Sequence, residues 1–271
     1  MKPKQWNQEI SEWQTALRGI GRSKGTVRLR VAHLRQLRDW AGARQPGSLK
    51  QIDLLAFMGS FEWEPETRNS VRASVRGFYS WRSIKHGVND PAAGLPSIKR
   101  GRPVPRPAAE SAYRQALRSA NPREQLMLRL SATCGLRRAE VAKAHSEAVF
   151  EDLGGGFSLQ VKGKGGFTRF VPLPDSLAIE LLALPSGYFF PGQRDGHLSP
   201  EHVGRLISRL LPDGVTMHML RHRFATLAYQ VDKDLFAVQD LLGHQSPVTT
   251  RNYVLTDSKA GRRLVDIVAA A

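Results

Sequence analysis

The chain has 271 residues, of which 41% are hydrophobic, and it carries 40 Lys and Arg against 24 Asp and Glu, a net charge of +16. This length suffices for two ordinary domains, and the positive charge is typical of a protein with a polyanionic partner.

No run of about 18 or more apolar residues is present, so no membrane span is expected. The polar N-terminus lacks the apolar segment of a secretory signal. The single cysteine, Cys134, excludes an internal disulfide and a thiolate metal cage. We therefore expect a soluble, cytoplasmic protein.

Positive charge is concentrated in the first part of the chain. Residues 1–103 hold 19 Lys and Arg against 8 Asp and Glu, whereas residues 104–271 hold 21 against 16. This bias predicts a nucleic-acid-binding module at the N-terminus, because Lys and Arg neutralise phosphates. A generally basic protein whose charges are merely solvated is the alternative.

A proline-rich segment, residues 90–107, separates two parts of different character. It contains five prolines and two glycines, which forbid a continuous helix, together with four Lys or Arg side chains. We predict a helical domain over residues 1–90, a basic linker over 91–107 and a second domain over 108–271. A surface loop within one domain is the alternative for the proline-rich segment.

Helical periodicity dominates the N-terminal part. Residues 24–41 repeat apolar side chains at spacings of three and four, and residues 49–59 and 67–86 predict two further helices. The side chains predicted to face inward are Val27, Val31, Leu34, Leu37 and Trp40 in the first helix and Val71, Val75, Phe78, Trp81 and Ile84 in the last.

Lysine and arginine occupy the other faces of these helices. Two arginine-bearing helices within one basic domain favour contacts with DNA phosphates over a purely solvated surface. The residues predicted to bind DNA are Lys24, Arg28, Arg35, Arg68, Arg72 and Arg76 on the helices and Arg100 and Arg102 in the linker.

The second part of the chain is mixed. Residues 146–172 alternate apolar and polar side chains around GGG and GKGG turns, which predicts a small three-stranded antiparallel sheet. Asn121 is the predicted cap of a helix that begins at Pro122. Helices are predicted over 108–119, 122–134, 175–184, 199–211, 216–230, 234–242, 246–253 and 258–269. The predicted fold class is mainly α: an N-terminal helical DNA-binding domain and a mixed, mostly helical second domain that contains the sheet.

The second part also carries a set of groups suited to phosphate chemistry: Arg137, Lys164, His218, Arg221, His244 and Tyr253. Arginine offers a planar charged fork that fits two phosphate oxygens. A lysine on the glycine-rich turn can protonate a leaving oxygen if neighbouring cations lower its pKa. The turn, VKGKGGF, lacks the GxxxxGK[ST] pattern, so nucleotide hydrolysis is not predicted. Glu140 is expected either to orient Arg137 or to pair with Arg138.

His218 and Arg221 are three residues apart on one predicted helix and therefore share a face. His222 and Arg223 are expected to point elsewhere. A metal site at His218 and His222 is not predicted, because the neighbourhood is cationic and no HExxH motif is present.

Tyr253 follows the string SPVTTRN in a short predicted helix. A phenol with an ordinary pKa near 10 is a weak nucleophile at neutral pH, and adjacent cations would stabilise both the phenolate and a pentacoordinate phosphorane. The alternative for any tyrosine is a packed ring with a solvated hydroxyl, and we assign that role to Tyr79, Tyr113, Tyr188 and Tyr229.

The strings GLRRAE, VKGKGGFTRFVPL, HMLRHRFATL and LLGHQSPVTTRNY resemble those of the tyrosine recombinase (phage integrase) family. The resemblance covers residues from about 107 to 260 and matches all six catalytic positions of the family, in order. It implies that Tyr253 attacks the scissile phosphate, forms a 3′-phosphotyrosyl link and releases a 5′-hydroxyl. The other implied roles are a phosphate clamp by Arg137 and Arg221, a hydrogen bond from His244, protonation of the leaving oxygen by Lys164 and proton transfer near the tyrosine by His218.

The resemblance also implies the partners. These are double-stranded DNA at attachment or core sites, a homotetramer on DNA formed from a free monomer, and a directionality factor; no cofactor, metal or membrane is implied. The chain is expected to be a minimal two-domain recombinase of a bacterium or of a phage in its bacterial host. Its C-terminal apolar helix is expected to contact a neighbouring protomer, with docking on its own protomer as the alternative.

Integration and excision of a phage or other mobile genome is the expected function. Chromosome or plasmid dimer resolution of the Xer type, relaxation of DNA as by a type IB topoisomerase, and DNA-binding regulation without catalysis are the alternatives.

Overall fold

The computed structural model describes residues 4–99, 104–163 and 166–243 and divides into two compact units, Met1–Gly101 and Arg102–Ala271. Both units are mostly helical, and the second also holds one three-stranded antiparallel sheet. The predicted fold class is confirmed. Within the described ranges, no helix combines the length and apolar composition that a bilayer span requires.

The N-terminal unit consists of helices whose ends carry local signals. They are α1 (Lys4–Gly19), α2 (Lys24–Ala41), α3 (Gln51–Gly59) and α4 (Pro65–His86). The Ser23 hydroxyl accepts a hydrogen bond from the Thr26 amide at the start of α2, and proline occupies the first position of α4. Gly87 ends α4 in the left-handed conformation that glycine adopts without strain.

Helix α1 was not predicted, yet it supplies a large part of the N-terminal core. Trp6, Ile10, Trp13 and Leu17 are almost fully buried and recur at spacings of four, three and four residues, so they form one stripe. They pack with the apolar faces of α2 and α4, and the Trp6 and Phe78 rings are stacked with centroids 5.9 Å apart.

Two side chains of the N-terminal unit differ from expectation, whereas the half-buried Trp40 and Trp81 pack against the core as predicted. Ile84, predicted to face inward, is 84% exposed because it lies on the outer face near the end of α4. The hydroxyl of the buried Tyr79 donates to the Pro46 carbonyl at 3.1 Å instead of facing solvent, and burial strongly raises its pKa.

The first part of the proline-rich segment folds against the N-terminal unit. Ala92 and Leu95 are buried in its core. The Arg72 guanidinium donates to the Leu95 carbonyl, with Nη2 at 2.7 Å, and the Gln51 side chain donates to the Gly94 carbonyl at 3.2 Å. Residues 92–95 therefore belong to the packed unit.

The second unit is built around a central helix. Its helices are α5 (Glu110–Ser119), α6 (Pro122–Ala132), α7 (Arg138–Ala142), α8 (Asp175–Leu182), α9 (Pro200–Ser208), α10 (Met217–Asp232) and α11 (Leu235–Leu242). Asn121 caps α6 as predicted, since its side chain accepts from the Glu124 amide at 2.9 Å. Helix α6 is buried on most sides and contacts α5, α7, α9 and α10.

The sheet of the second unit has the order β1–β2–β3, with β1 at Val149–Glu151, β2 at Phe157–Lys162 and β3 at Thr168–Leu173. Leu159 pairs with Val149 on one side and Val171 on the other, and these side chains line the inner face. A further short strand, β4 (Pro191–Arg194), lies after α8.

Candidate active site

A sharp turn after α6 positions Arg137. Gly135 has φ +65°, and the amide of Leu136 donates back to the Leu130 carbonyl at 3.1 Å, which closes the helix end. The buried Leu136 side chain then anchors the chain, and Arg137 becomes the N-cap residue of α7. The Arg137 side chain remains 32% exposed.

Substitution of Gly135 tests how tightly this turn is packed. A Cβ at Gly135 would lie 2.5 Å from Cδ1 of Phe224 and 3.2 Å from Cδ2 of Leu242. We expect Gly135→Ala to lower the free energy of unfolding, measured by urea titration, by about 3 kcal/mol, through left-handed strain and overpacking together. Gly155 has φ +86° but nothing within 4 Å of such a Cβ. Gly155→Ala should therefore cost only about 1 kcal/mol, and equal losses in the two variants would contradict the packing argument.

The Glu140 carboxylate accepts hydrogen bonds from two arginine side chains of the site. Its Oε1 accepts from Nη1 of Arg137 at 2.8 Å, and its Oε2 accepts from the Arg137 backbone amide at 2.8 Å. Arg169 on β3 donates to both carboxylate oxygens, at 3.1 and 2.9 Å. Of the two alternatives from the sequence, orientation of Arg137 is therefore the correct one.

The Glu140 carboxylate is ionised despite its burial. Desolvation alone would raise its pKa, but the hydrogen bonds and charge of Arg169, followed by the backbone hydrogen bond from Arg137 and the charge of Arg221, outweigh burial and hold the pKa below its ordinary value. We call Glu140 and Arg169 the carboxylate–arginine pair.

The C-terminal end of α11 accepts from the same arginines. The Leu242 carbonyl receives hydrogen bonds from Nη2 of Arg221 at 2.7 Å and from Nη1 of Arg137 at 3.4 Å. The Leu241 carbonyl receives one from Nε of Arg169 at 2.7 Å. Free carbonyls at a helix C-terminus carry partial negative charge, which favours cations there.

Arg221 lies behind the other two arginines. Its side chain is fully buried, and besides Leu242 it donates to the Gly135 carbonyl. Its Nη1 is 3.9 Å from Oε2 of Glu140. The Arg221 guanidinium is thus held by backbone carbonyls of the protein itself, whereas the Arg137 side chain keeps an exposed surface.

His218 and His222 lie one turn apart at the start of α10. His218 is exposed, and its pKa is lowered by partial desolvation and then by Arg221, Arg137 and Arg138. The His222 ring lies 4.8 Å from the His218 ring, nearly perpendicular to it, so the expectation that it points elsewhere was wrong. Desolvation, His218 and Arg221 lower the pKa of His222 to about 4. Both rings are therefore neutral at pH 7, and a neutral His218 can accept a proton.

Arg223, in contrast, points away from the site. Its guanidinium donates to Glu110 and to the Ala132 carbonyl and lies over the Tyr113 ring, 4.6 Å from the centroid. It thus joins α10 to α5, which is a structural role.

A groove of about 1120 Å³ opens beside Arg137 and His218. Leu136, Ala139 and Met217 give it an apolar floor. Its walls also carry Arg138, Arg205 and Arg209, all exposed, together with Glu201. The groove therefore presents the exposed edge of the site to solvent with arginines on both walls, which suits a polyanionic strand.

Lys164, His244 and Tyr253 lie outside the described residues, as do Arg100, Arg102 and the helices predicted over 246–253 and 258–269. The residues that precede the lysine and the histidine are nevertheless informative. A Cβ at Gly163 would lie 3.8 Å from Oε1 of Glu140, and one at Gly243 would lie 2.9 Å from Cδ of Arg169. Gly163 and Gly243, which directly precede these two predicted catalytic residues in the sequence, therefore both lie against the carboxylate–arginine pair.

The predicted DNA-binding residues of the N-terminal unit fall into two groups that differ in their exposure. Lys24, Arg28 and Arg35 are exposed on one face of α2, at spacings of four and seven residues, and Arg76 is exposed on α4. Arg68 and Arg72 are half-buried and donate to the backbone carbonyls of Phe61 and Leu95. Only the first group is fully available to a phosphate.

Comparison with known proteins identifies the family. Residues 108–259 match the phage integrase family. The tyrosine recombinase XerC of Rhodospirillum centenum is 35% identical over 71% of this chain and 63% of that protein. The tyrosine recombinase XerC of Methylobacterium sp. (strain 4-46) is 34% identical over 92% of this chain and 89% of that protein. Among solved structures, a lambda integrase dimer bound to a COC′ core site covers 91% of this chain and 76% of that chain with a TM-score of 0.73; at 18% identity this is a likeness of fold. The chain belongs to the phage integrase family and is a tyrosine-type site-specific recombinase.

Proposed function

We propose that the second unit cuts and rejoins double-stranded DNA through a 3′-phosphotyrosyl intermediate on Tyr253. The observation that carries this proposal is the gathering of Arg137, Arg169 and Arg221 around one buried carboxylate, beside a neutral histidine and an open basic groove. Such an arrangement stabilises negative charge on a pentacoordinate phosphorane at a fixed place.

The reaction balances with the chain's own groups. The Tyr253 oxygen forms a bond to phosphorus and its proton passes to the neutral His218 imidazole, while the bond from phosphorus to the 5′-oxygen breaks and that oxygen takes a proton from Lys164. Arg137 binds the non-bridging oxygens, joined by Arg221 and His244. The phosphotyrosyl bond retains the energy of the phosphodiester, so a 5′-hydroxyl reverses the step and rejoins the strand.

A nicked suicide substrate tests this proposal. The nick lets a short fragment diffuse away after cleavage, so covalent protein–DNA complex should accumulate with the full chain. Two plasmids that carry the same site should then yield exchanged products. Relaxed plasmid without exchanged products would instead indicate a type IB topoisomerase, and absence of any covalent complex would indicate a DNA-binding regulator.

We propose that the biological reaction is the resolution of chromosome or plasmid dimers in a bacterium, and we prefer this proposal to phage integration. The relatives named XerC, at 34 and 35% identity over most of the chain, support this order, which reverses the expectation from the sequence. Sequencing of genomic DNA trapped on Tyr253 decides between them. Two identical sites on sister replicons support resolution, whereas a pair of unlike sites, one on a mobile element, supports integration.

We further propose that four protomers assemble on two DNA sites and that the N-terminal unit binds the core site. Sedimentation of the protein with and without a core-site duplex tests the assembly. A tetramer with DNA and a monomer without it is the expected result, and a stable free tetramer would contradict it. A directionality factor is proposed as well, and adding host extract to the exchange reaction tests for it.

Salt dependence tests the DNA-binding face. Neutralising Arg28, Arg35 and Arg76 to Gln should weaken DNA binding and flatten the plot of log affinity against log salt by about 0.9 for each phosphate that the protein no longer neutralises. Arg72→Gln serves as the control, because Arg72 is tied to Leu95, so it should lower stability and leave the salt slope nearly unchanged. An unchanged slope in the triple variant would place the DNA-binding face elsewhere.

A further inference from the structure

The Arg169 side chain donates hydrogen bonds through all three of its nitrogens, and none of them belongs to the pairing of β2 with β3. Two of its nitrogens donate to the two oxygens of Glu140, and the third, Nε, donates to the Leu241 carbonyl at the end of α11. Its side chain is 10% exposed and that of Glu140 is 4% exposed. One guanidinium therefore joins β3, α7 and α11 in a place that water hardly reaches.

Only arginine suits this position. The guanidinium presents its donors in a rigid plane, so a bidentate bond to a carboxylate and a third bond through Nε fit one orientation. A lysine keeps the charge, but its single ammonium cannot make all three bonds in that geometry. The requirement is thus for shape as well as for charge.

Gly243 shows how closely the α11 end approaches Arg169. Gly243 adopts φ +62°, and a Cβ there would lie 2.9 Å from Cδ and 3.1 Å from Nη1 of Arg169. The absence of a side chain at Gly243 lets the helix end lie directly on the guanidinium. Gly163, at the start of the β2–β3 turn, also lies close to the pair, with its Cβ position 3.8 Å from Oε1 of Glu140 and 3.8 Å from Nη1 of Arg169.

We propose that Arg169 is a positioning residue for the cleavage reaction. It fixes Arg137 through Glu140 and at the same time fixes the end of α11, from which the chain continues to His244. The inference rests on the function proposed above and deepens it: within the described residues, Arg137, Gly163 and Gly243, which belong to three of the catalytic sequence strings, all lie against the carboxylate–arginine pair.

The consequence for Glu140 can be measured. Arg137 on α7, Arg169 on β3 and Arg221 on α10 are the cations that face its carboxylate. Removal of Arg169 takes away the largest of the effects that lower the Glu140 pKa, so that pKa rises. A protonated Glu140 no longer orients Arg137 by charge, and the cleavage rate should then fall with falling pH over a range in which the wild-type rate is flat.

The test is single-turnover cleavage of the suicide substrate at saturating DNA, with the full chain. Arg169→Met should lower the cleavage rate constant about 100-fold, the size expected when a catalytic group is misplaced by about 1 Å, and leave the DNA affinity unchanged. Arg169→Lys should recover part of the rate. Both rates should fall where His218 becomes protonated, and the acid decline should begin at a higher pH in Arg169→Met than in the wild type.

A matched control separates positioning from general stability. Arg129 forms an ion pair with Glu180 in the same unit, away from the groove. Arg129→Met should retain the wild-type cleavage rate constant at a temperature at which both variants are folded. If Arg129→Met loses as much rate as Arg169→Met, the loss at Arg169 reflects stability and the proposal is overturned.

Gly243→Ala supplies the second arm. It should lower the cleavage rate in the wild-type background both by displacing Arg169 and by the strain of an alanine at φ +62°, whereas in an Arg169→Ala background only the strain remains, so the loss should be smaller there. Additive losses would overturn the proposal. Failure of the proposed function and failure of the positioning role give different results. A wild type that forms no covalent complex would contradict the proposed function. A complex that forms as fast with Arg169→Met as with the wild type would contradict only the positioning role.

Discussion

Tyr253→Phe is expected to abolish formation of the covalent protein–DNA complex, with a loss of at least about 10⁴-fold, the scale seen when a nucleophile is removed. The reason is chemical: phenylalanine keeps the ring and removes only the oxygen that is proposed to bond to phosphorus. DNA affinity should be nearly unchanged, because phosphate contacts by arginine and lysine dominate binding. Denaturing gel electrophoresis of the suicide-substrate reaction measures the first quantity, and a filter-binding titration measures the second.

Another tyrosine provides the matched control for this result. Tyr188 is half-buried, and its ring contacts His145 and His197, with centroids 4.7 and 5.0 Å away. Tyr188→Phe should leave the covalent complex intact. A large loss of DNA affinity in Tyr253→Phe would assign a structural role to its hydroxyl, and residual covalent complex would show that another residue is the nucleophile.

Apolar periodicity explains why most helices could be predicted from the sequence. Helix α2 was predicted at its observed bounds from apolar side chains at spacings of three and four, and in the structure Ser23 caps it and Gly42 follows it with φ +61°. Helix α1 was not predicted, although its buried residues Trp6, Ile10, Trp13 and Leu17 recur at helical spacings that the sequence displays. Helix α7 has only five residues and is held by the contacts between Arg137 and Glu140, so no period could reveal it.

Contacts between distant parts of the chain form the parts of the site that the sequence did not predict. The motifs placed Arg137, His218 and Arg221 in one site, and the structure brings these three together. Arg169 was not singled out, because an arginine within an alternating strand resembles a solvated surface residue. Its partner Glu140 is 29 positions away, and only the tertiary fold brings the two into contact. The full burial of Arg221 depends in the same way on contacts with distant parts of the chain, the Gly135 turn and the α11 end.

Glu140→Gln is expected to destabilise the second unit by about 3 kcal/mol at neutral pH, because it leaves buried guanidinium groups without their counter-charge. Glu180→Gln is the control: its ion pair with Arg129 is partly exposed, so its loss should cost at most about 1 kcal/mol.

The pH dependence of the Glu140 effect follows from its lowered pKa. A carboxyl group with a lowered folded-state pKa contributes stability that is complete above its unfolded value, here 4.5, and is lost as the pH falls through the folded value. Glutamine resembles the protonated acid and does not titrate. The difference in unfolding free energy between wild type and Glu140→Gln, measured by urea titration, should therefore be constant from pH 7 to 5 and shrink below pH 4.5. A difference independent of pH down to pH 3 would mean that the amide fails through its shape, and that charge on Glu140 does not hold the arginines together.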